Sequence, residues 1–456
     1  MKRKFLLLTS ILFIGMMLFS CKGGDQGEGD ADNGGDDNLE AAYYNVLADT
    51  KINAIQIVDL IFASMESNEQ TLLMKSMIIN KMEQFAAQIE NELNLQNVEL
   101  GFRKVAYSYN SVGVDGKPLE LSSVASWYVY RAENDTVWYD ISPEKIALVE
   151  HYTITSDAEC PTQSFPFELL VTGNTLSLMP DYIGYGLTRN MIHPYLDHGI
   201  CTQNSVDAIP AGYTLFKELA NVDLNDDWKL CVIGASQGGG NALAVHKYMD
   251  TNSDFANKWN FEYSYAAVGP HNPLLTMEKY FEKGKTSYPV VFPLTFKAMI
   301  NSYPEILGKY TGEEMFSGAY LQVKETIDQM VASKEYTTSE INEVILEKLR
   351  VTVDENLAEN EIYLSDMLNE IMFDNESELV KDLFKCFDKN DLTKGWTPTH
   401  PIKLYYSTAD EVVPYENSLS VKEAFGDKVT AIEAEAPLGH VEATLMWMIQ
   451  IFVGGL

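Results

Sequence analysis

Gly234-Ala235-Ser236-Gln237-Gly238 follows the apolar run Lys229-Leu230-Cys231-Val232-Ile233 and precedes a stretch of helical character. A serine on a sharp turn between a strand and a helix has its oxygen raised clear of the sheet. Glycines two residues to either side make room for so tight a reversal. The helix that follows points its free N–H groups back at the serine, where they favour a developing oxyanion. Such a serine needs a base, and the base needs an orienting acid. Around an elbow of this kind the acid follows the serine in the chain and the histidine comes last. Four histidines follow Ser236. His246 rides away on the elbow helix, and His271 and His400 stand beside prolines. His440 follows Pro437-Leu438-Gly439 after the last expected strand, which is where the base belongs. Asp410 lies just past the run Ile402–Tyr406 and is the expected acid, with its neighbour Glu411 as the alternative. The backbone N–H of Gln237 is the first expected oxyanion donor. No His-Gly-Gly-Gly loop is present, and His151-Tyr152 lacks the glycines. The loop Met179-Pro180-Asp181-Tyr182-Ile183-Gly184 is therefore expected to supply the second donor, from Asp181 or Tyr182.

These side chains need a scaffold whose strand ends converge. From about residue 145 apolar strands alternate with helices: 145–154, 174–184, 228–236 and 261–270 read as strands, and 204–222 and 239–250 as helices. Pro210 is expected to kink the first of these helices or to lie near its first turn. Short apolar strands alternating with helices predict a mostly parallel sheet covered on both faces. Residues 273–398 break the alternation with helical stretches, including 339–350, 361–372 and 377–387, and read as an insertion. Strand, helix and strand resume at 401, and residues 441–453 close the chain as a helix. Further upstream, 103–112 and 122–131 are aromatic and β-branched, with Asp115-Gly116 between them, and predict a hairpin. Residues 41–100 carry apolar residues at spacings of three and four and are expected to be helical.

Several of these stretches, in this order and spacing, resemble the secretory lipases typified by Candida lipase A. They are Ser177–Gly186, Gly212–Val222, Lys229–Val245 and Tyr263–Pro273. Residues 150–164 are also similar. The resemblance spans 145–273 and, more loosely, 400–445. It implies an α/β-hydrolase fold with a helical cap, hydrolysis of carboxylic esters, the triad Ser236, Asp410 and His440, and an oxyanion hole made by Asp181 with the Gln237 backbone. It implies no metal and no cofactor. The family usually has glycine where this chain has Gln237; the glutamine side chain is expected to narrow the acyl entrance.

The first residues, Met1–Cys21, have a basic start, an apolar stretch and Leu18-Phe19-Ser20-Cys21. They have the layout of a secretory signal and resemble the lipobox of bacterial lipoproteins, which implies cleavage before Cys21 and lipidation of its thiol. The alternative is an ordinary signal with an incidental cysteine. After Lys22, residues 23–38 are glycine, acid and amide with one alanine, and the stretch is expected to form a disordered tether. An acidic run after such a cysteine resembles the surface-export signal of lipoproteins in Bacteroides-like bacteria. That implies a lipid anchor in the outer membrane, with the protein facing outward; a plain solvated linker is the other reading. The expected layout is a leader at 1–20, a tether at 21–40, a helical segment at 41–100, core at 101–272, cap at 273–398 and core again at 399–456.

Sixty-six acidic residues against 33 Lys and Arg give a net charge of −33. A chain this acidic repels nucleic acid. Beyond Cys21 the cysteines are Cys160, Cys201, Cys231 and Cys386. They allow three pairings and show no metal-ligand spacing. The expected function is a surface-tethered serine esterase or lipase working through an acyl-enzyme on a small-molecule, lipid or glycan ester. A serine peptidase of the capped type and a non-catalytic binding protein on the same scaffold are the alternatives.

Overall fold

The computed structural model describes residues 41–63, 69–133 and 135–456. The leader, Cys21 with its expected lipid, and the acidic tether lie outside the described residues. The frame is a single large sheet. Its strands are β1 (Tyr44–Asn53), β2 (Val98–Val112), β3 (Pro118–Ala132), β4 (Tyr139–Asp140), β5 (Lys145–Glu150), β6 (Thr175–Pro180), β7 (Lys229–Ala235) and β8 (Phe261–Ala267). After the short pair β9 (Lys285–Thr286) and β10 (Ile362–Tyr363), which stands apart, the sheet is completed by β11 (Ile402–Tyr406) and β12 (Val429–Glu433). The order is β1-β2-β3-β6-β5-β7-β8-β11-β12, with β4 on β3. β1, β2, β3 and β6 pair antiparallel in turn, whereas β6, β5, β7, β8, β11 and β12 run parallel.

The parallel strands are buried on both faces, as their unbroken Val, Ile, Leu and Ala runs require. On one face, helices His198–Leu219 and Gln237–Thr251 cover Leu148, Leu178, Val232 and Leu404. On the other, helices Ala54–Ala63, Glu69–Leu93 and His440–Gly454 cover Val149, Met179, Ile233 and Tyr405. Pro210 sits inside helix His198–Leu219, far from its first turn.

The hairpin of β2 and β3 runs in register from Val98–Ala132 to Val112–Pro118. The segment 41–100 departs from the helical expectation: it opens with β1, laid antiparallel along β2, before its two helices begin. Seven consecutive residues of β1 are exposed. An edge strand with little buried surface carries no alternating apolar signal to read.

Residues 273–398 contain helices Pro273–Lys283, Val291–Ser302, Gly318–Ser333, Thr338–Leu349 and Glu378–Lys389, with an apolar core of their own. Val290, Phe292, Phe296, Ala298 and Met299 are buried in that core. The stretch 361–372 is not one helix. It is β10, a short turn of helix at Leu364–Met367 and a 3-10 turn, because Ile362 and Tyr363 pair with β9 and Leu364 N–H donates to the Gly284 carbonyl. This segment is fastened to the rest of the chain at several points. Tyr280 Oη donates to the Val412 carbonyl at 2.6 Å, Thr155 Oγ1 to the Tyr336 carbonyl at 2.7 Å, and Asp157 N–H to the Lys334 carbonyl at 2.8 Å.

Candidate active site

β7 ends at Ala235 and the next helix begins at Gln237, so one residue makes the whole reversal. That residue, Ser236, has φ 56° and ψ −124°. A non-glycine residue held there costs on the order of 1–3 kcal/mol and persists only where its surroundings fix it. They do: Ser236 N–H donates to the Ala267 carbonyl at 3.0 Å, and its own carbonyl accepts from Gly239 and Gly240. The glycines are dictated by contact. A Cβ at Gly234 would stand 2.2 Å from the Gly238 oxygen, and one at Gly238 would stand 2.0 Å from the Glu150 carbonyl oxygen. Gly238→Ala therefore forces backbone apart beneath Ser236. It is expected to cost at least about 1–3 kcal/mol, read as a lowered thermal midpoint, with loss of any activity that needs Ser236 in place.

β11 and β12 bring the other two side chains to the same end of the sheet. Asp410 follows β11; its Oδ1 accepts from Val412 N–H at 2.9 Å and Val413 N–H at 2.8 Å. Its Oδ2 faces His440 Nδ1 at 2.8 Å. His440 Nε2 lies 2.8 Å from Ser236 Oγ. An ionised carboxylate only accepts, so Nδ1 carries the proton and Nε2 presents its lone pair to the serine hydroxyl. His440 is the first residue of the closing helix rather than a loop residue, with Gly439 as the cap position. Glu411 serves the backbone instead, its Oε2 accepting the His440 N–H at 3.1 Å. Burial by itself would weaken His440 as a base. The charge and hydrogen bond of Asp410, with Glu411 nearby, outweigh it and hold the imidazole above its ordinary value of 6.5.

The loop after β6 divides its two candidates. Asp181 donates its N–H to the Ser122 carbonyl at 3.0 Å, so its amide is already engaged and cannot be the expected oxyanion donor. Its fully buried carboxylate accepts from Ser122 Oγ, Thr162 Oγ1 and Thr162 N–H at 2.6, 2.6 and 2.9 Å. Asp181 braces the loop, and burial raises it to about 6. Tyr182 has φ 68°, and its N–H meets no acceptor among the described residues. Its ring is stacked between His151, 4.0 Å away, and His193, 5.8 Å away. The first amide of a helix has no intrahelical acceptor, so Gln237 N–H is also unclaimed at the elbow.

The Gln237 side chain is 2% exposed and folds onto His193, its Nε2 2.6 Å from His193 Nε2. His193 Nδ1–H donates to the Ile183 carbonyl at 2.8 Å. Burial, with the charge of Lys334, lowers His193 to about 3, so it is neutral and accepts from the glutamine amide. The expectation that this side chain narrows the acyl entrance thus meets a side chain already tied to the β6 loop. His193 is a site neighbour that sequence reasoning missed, since a lone histidine between Ile192 and Pro194 carries no motif.

The remaining histidines lie elsewhere; His198 is buried with its Nδ1 2.9 Å from the Asn390 carbonyl oxygen. His246 is fully buried between Ser264 Oγ at 2.8 Å and Asp250 at 3.1 Å, and His400 shares Asp250. His271 is buried behind the elbow helix. Cys160, Cys201, Cys231 and Cys386 are buried free thiols; burial pushes Cys231 and Cys386 up to about 12. No group of metal-ligating side chains occurs among the described residues.

No protein-family model matches the chain, and no curated protein matches it. Solved structures do. The rice cell wall degrading esterase LipA of Xanthomonas oryzae is similar at a TM-score of 0.55 and 16% identity, over 90% of this chain and 95% of that one. A Legionella pneumophila protein described as a hydrolase is similar at 0.59 and 16% identity, over 90% of this chain and 96% of that one. Candida antarctica lipase A in its closed state reaches 0.49 at 13% identity over 80% of each chain, too low a score to carry weight. Identities of this size speak to architecture alone. A mostly parallel sheet wrapped on both faces, a serine on the one-residue turn after β7, and the next two side chains at the ends of β11 and β12 agree with it: the chain has the α/β-hydrolase fold.

Proposed function

We propose that the protein is a serine carboxylic-ester hydrolase that works through an acyl-enzyme. One observation carries the reading: His440 stands 2.8 Å from both Ser236 Oγ and Asp410 Oδ2. In the proposed reaction Nε2 takes the proton as Oγ attacks the ester carbonyl. The oxyanion is received by the amides of Gln237 and Tyr182, neither of which meets an acceptor among the described residues. Nε2 returns the proton to the departing alcohol, and water repeats the cycle to free the acid. Asp410 keeps the imidazole in the working tautomer and stabilises its charged form. Removing one oxyanion donor typically costs about 3–4 kcal/mol of transition-state stabilisation. The esterase of Xanthomonas oryzae has the same architecture, and ester cleavage is the reading we adopt over amide cleavage.

Turnover of p-nitrophenyl acetate, butyrate and longer esters, set against aminoacyl and prolyl anilides, tests it. Preference for anilides would replace the esterase reading with a peptidase. Absence of both turnover and fluorophosphonate labelling would leave a binding protein. The pH profile follows from His440. Its base form is lost as the imidazole protonates, and Asp410 raises that pKa. Hence kcat/KM is expected to rise with pH along an acid limb whose apparent pKa lies above 6.5. A limb well below that value would mean that the Asp410 contact does not persist in solution.

A further inference from the structure

Beneath the elbow lies a carboxylate that the reaction above does not use. Glu150 ends β5 and is wholly buried. Its carbonyl oxygen is the atom that a Cβ at Gly238 would strike, and its Cβ lies 2.9 Å from where a side chain at Gly234 would begin. Its Oε2 accepts from Tyr182 Oη at 2.7 Å and from Ser205 Oγ at 3.0 Å, and the Asn241 side chain lies beside the carboxyl. A wholly buried carboxyl is costly to keep for packing alone.

Tyr182 is the residue whose backbone is strained and whose amide is unclaimed. Every part of its side chain is held. The ring lies between His151 and His193, and Oη bonds to Glu150 and, at 3.3 Å, to the His151 carbonyl. His193 in turn receives the Gln237 side chain. The two amides assigned to the oxyanion thus belong to residues whose side chains are tied to one another through His193, and the tyrosine end of that tie is anchored on Glu150.

Building on the ester-hydrolase reading, we propose that Glu150 is a positioning residue for the oxyanion site, acting through Tyr182 Oη to hold the strained Tyr182 backbone with its amide free. A hydrogen bond at the far end of the ring fixes the ring's height and tilt, and these fix the backbone that carries it. Without the anchor, the backbone is free to relax towards ordinary φ, and the amide turns with it.

Three variants test this with p-nitrophenyl butyrate. Tyr182→Phe removes the donor, Glu150→Leu removes the acceptor, and Glu150→Gln keeps an acceptor. Tyr182→Phe and Glu150→Leu are each expected to lower kcat about 10- to 30-fold with KM unchanged, a fraction of the loss from deleting an oxyanion donor. Glu150→Gln should stay within about threefold of wild type, since its amide oxygen still accepts. Combining Tyr182→Phe with Glu150→Leu should be no slower than the slower single variant, because residues acting through one contact are not additive. Wild-type kcat in Tyr182→Phe overturns the proposal, and so does a multiplicative loss in the double variant. A raised KM at constant kcat also overturns it, since that marks a substrate contact. Should Glu150→Leu fail to fold, Tyr182→Phe against Glu150→Gln decides alone. A wild-type protein that neither turns over esters nor takes a fluorophosphonate overturns the ester reading itself, a result distinct from active wild type with indifferent variants.

Discussion

Ser236→Ala is expected to lower kcat for p-nitrophenyl butyrate by about 10⁶-fold, the scale seen when the nucleophile of such a unit is deleted. The substitution removes one oxygen, and among the described residues that oxygen has a single side-chain partner, His440 Nε2. Alanine meets the same φ of 56° that serine does, so the elbow is not relieved or newly strained. Thermal stability should stay close to wild type, which separates loss of chemistry from loss of fold. Fluorophosphonate labelling should vanish in the same variant. Labelling that persists would place the reactive nucleophile at another residue and remove Ser236 from the reaction.

Asp410→Asn is expected to be the next most damaging change, at about 10⁴-fold in kcat with geometry preserved. Asparagine can keep the bonds from Val412 N–H and Val413 N–H with its oxygen. Its NH₂ group then faces His440 Nδ1, which must accept instead of donate. The proton moves to Nε2, and the imidazole can no longer take one from Ser236. Glu411→Gln should do far less, since its Oε2 accepts the His440 backbone N–H and its charge acts on the ring from a distance, which leaves the ring tautomer alone. A loss in Glu411→Gln equal to that in Asp410→Asn would assign the orienting role to the wrong carboxylate.

The meeting of Ser236, Asp410 and His440 was legible because each follows a parallel strand, where a short apolar run stops at a turn. Choosing Asp410 over Glu411 drew on the same logic. What sequence could not weigh was that the turn's two amides, Val412 and Val413, close on Asp410 and leave Glu411 for the backbone of His440. The β6 loop was located but not resolved. Asp181 looks as fit a donor as Tyr182 until its amide is found bonded to Ser122 across the β3–β6 ladder. Glu150 and His193 carry no local pattern, because their partners lie 32 and 44 residues away along the chain. β1 stayed hidden for a plainer reason: its hydrogen bonds to β2 hold it, and hydrogen bonding leaves no mark on hydropathy.

The exposed margin strand also governs how the molecule bears load. The chain joins the sheet at Tyr44, in β1, five strand positions from β7. At about 4.8 Å per strand that is roughly 24 Å from the elbow. A pull on the segment before Tyr44 would be met first by the bonds of Ala42 N–H to Thr214 Oγ1 and of Tyr44 Oη to Glu218, and then by the β1–β2 ladder, whose rungs break in succession when the strand is peeled sideways. Tension would therefore strip β1 as a sacrificial zip, at low force, while Ser236, Asp410 and His440 stay seated on the strands behind it.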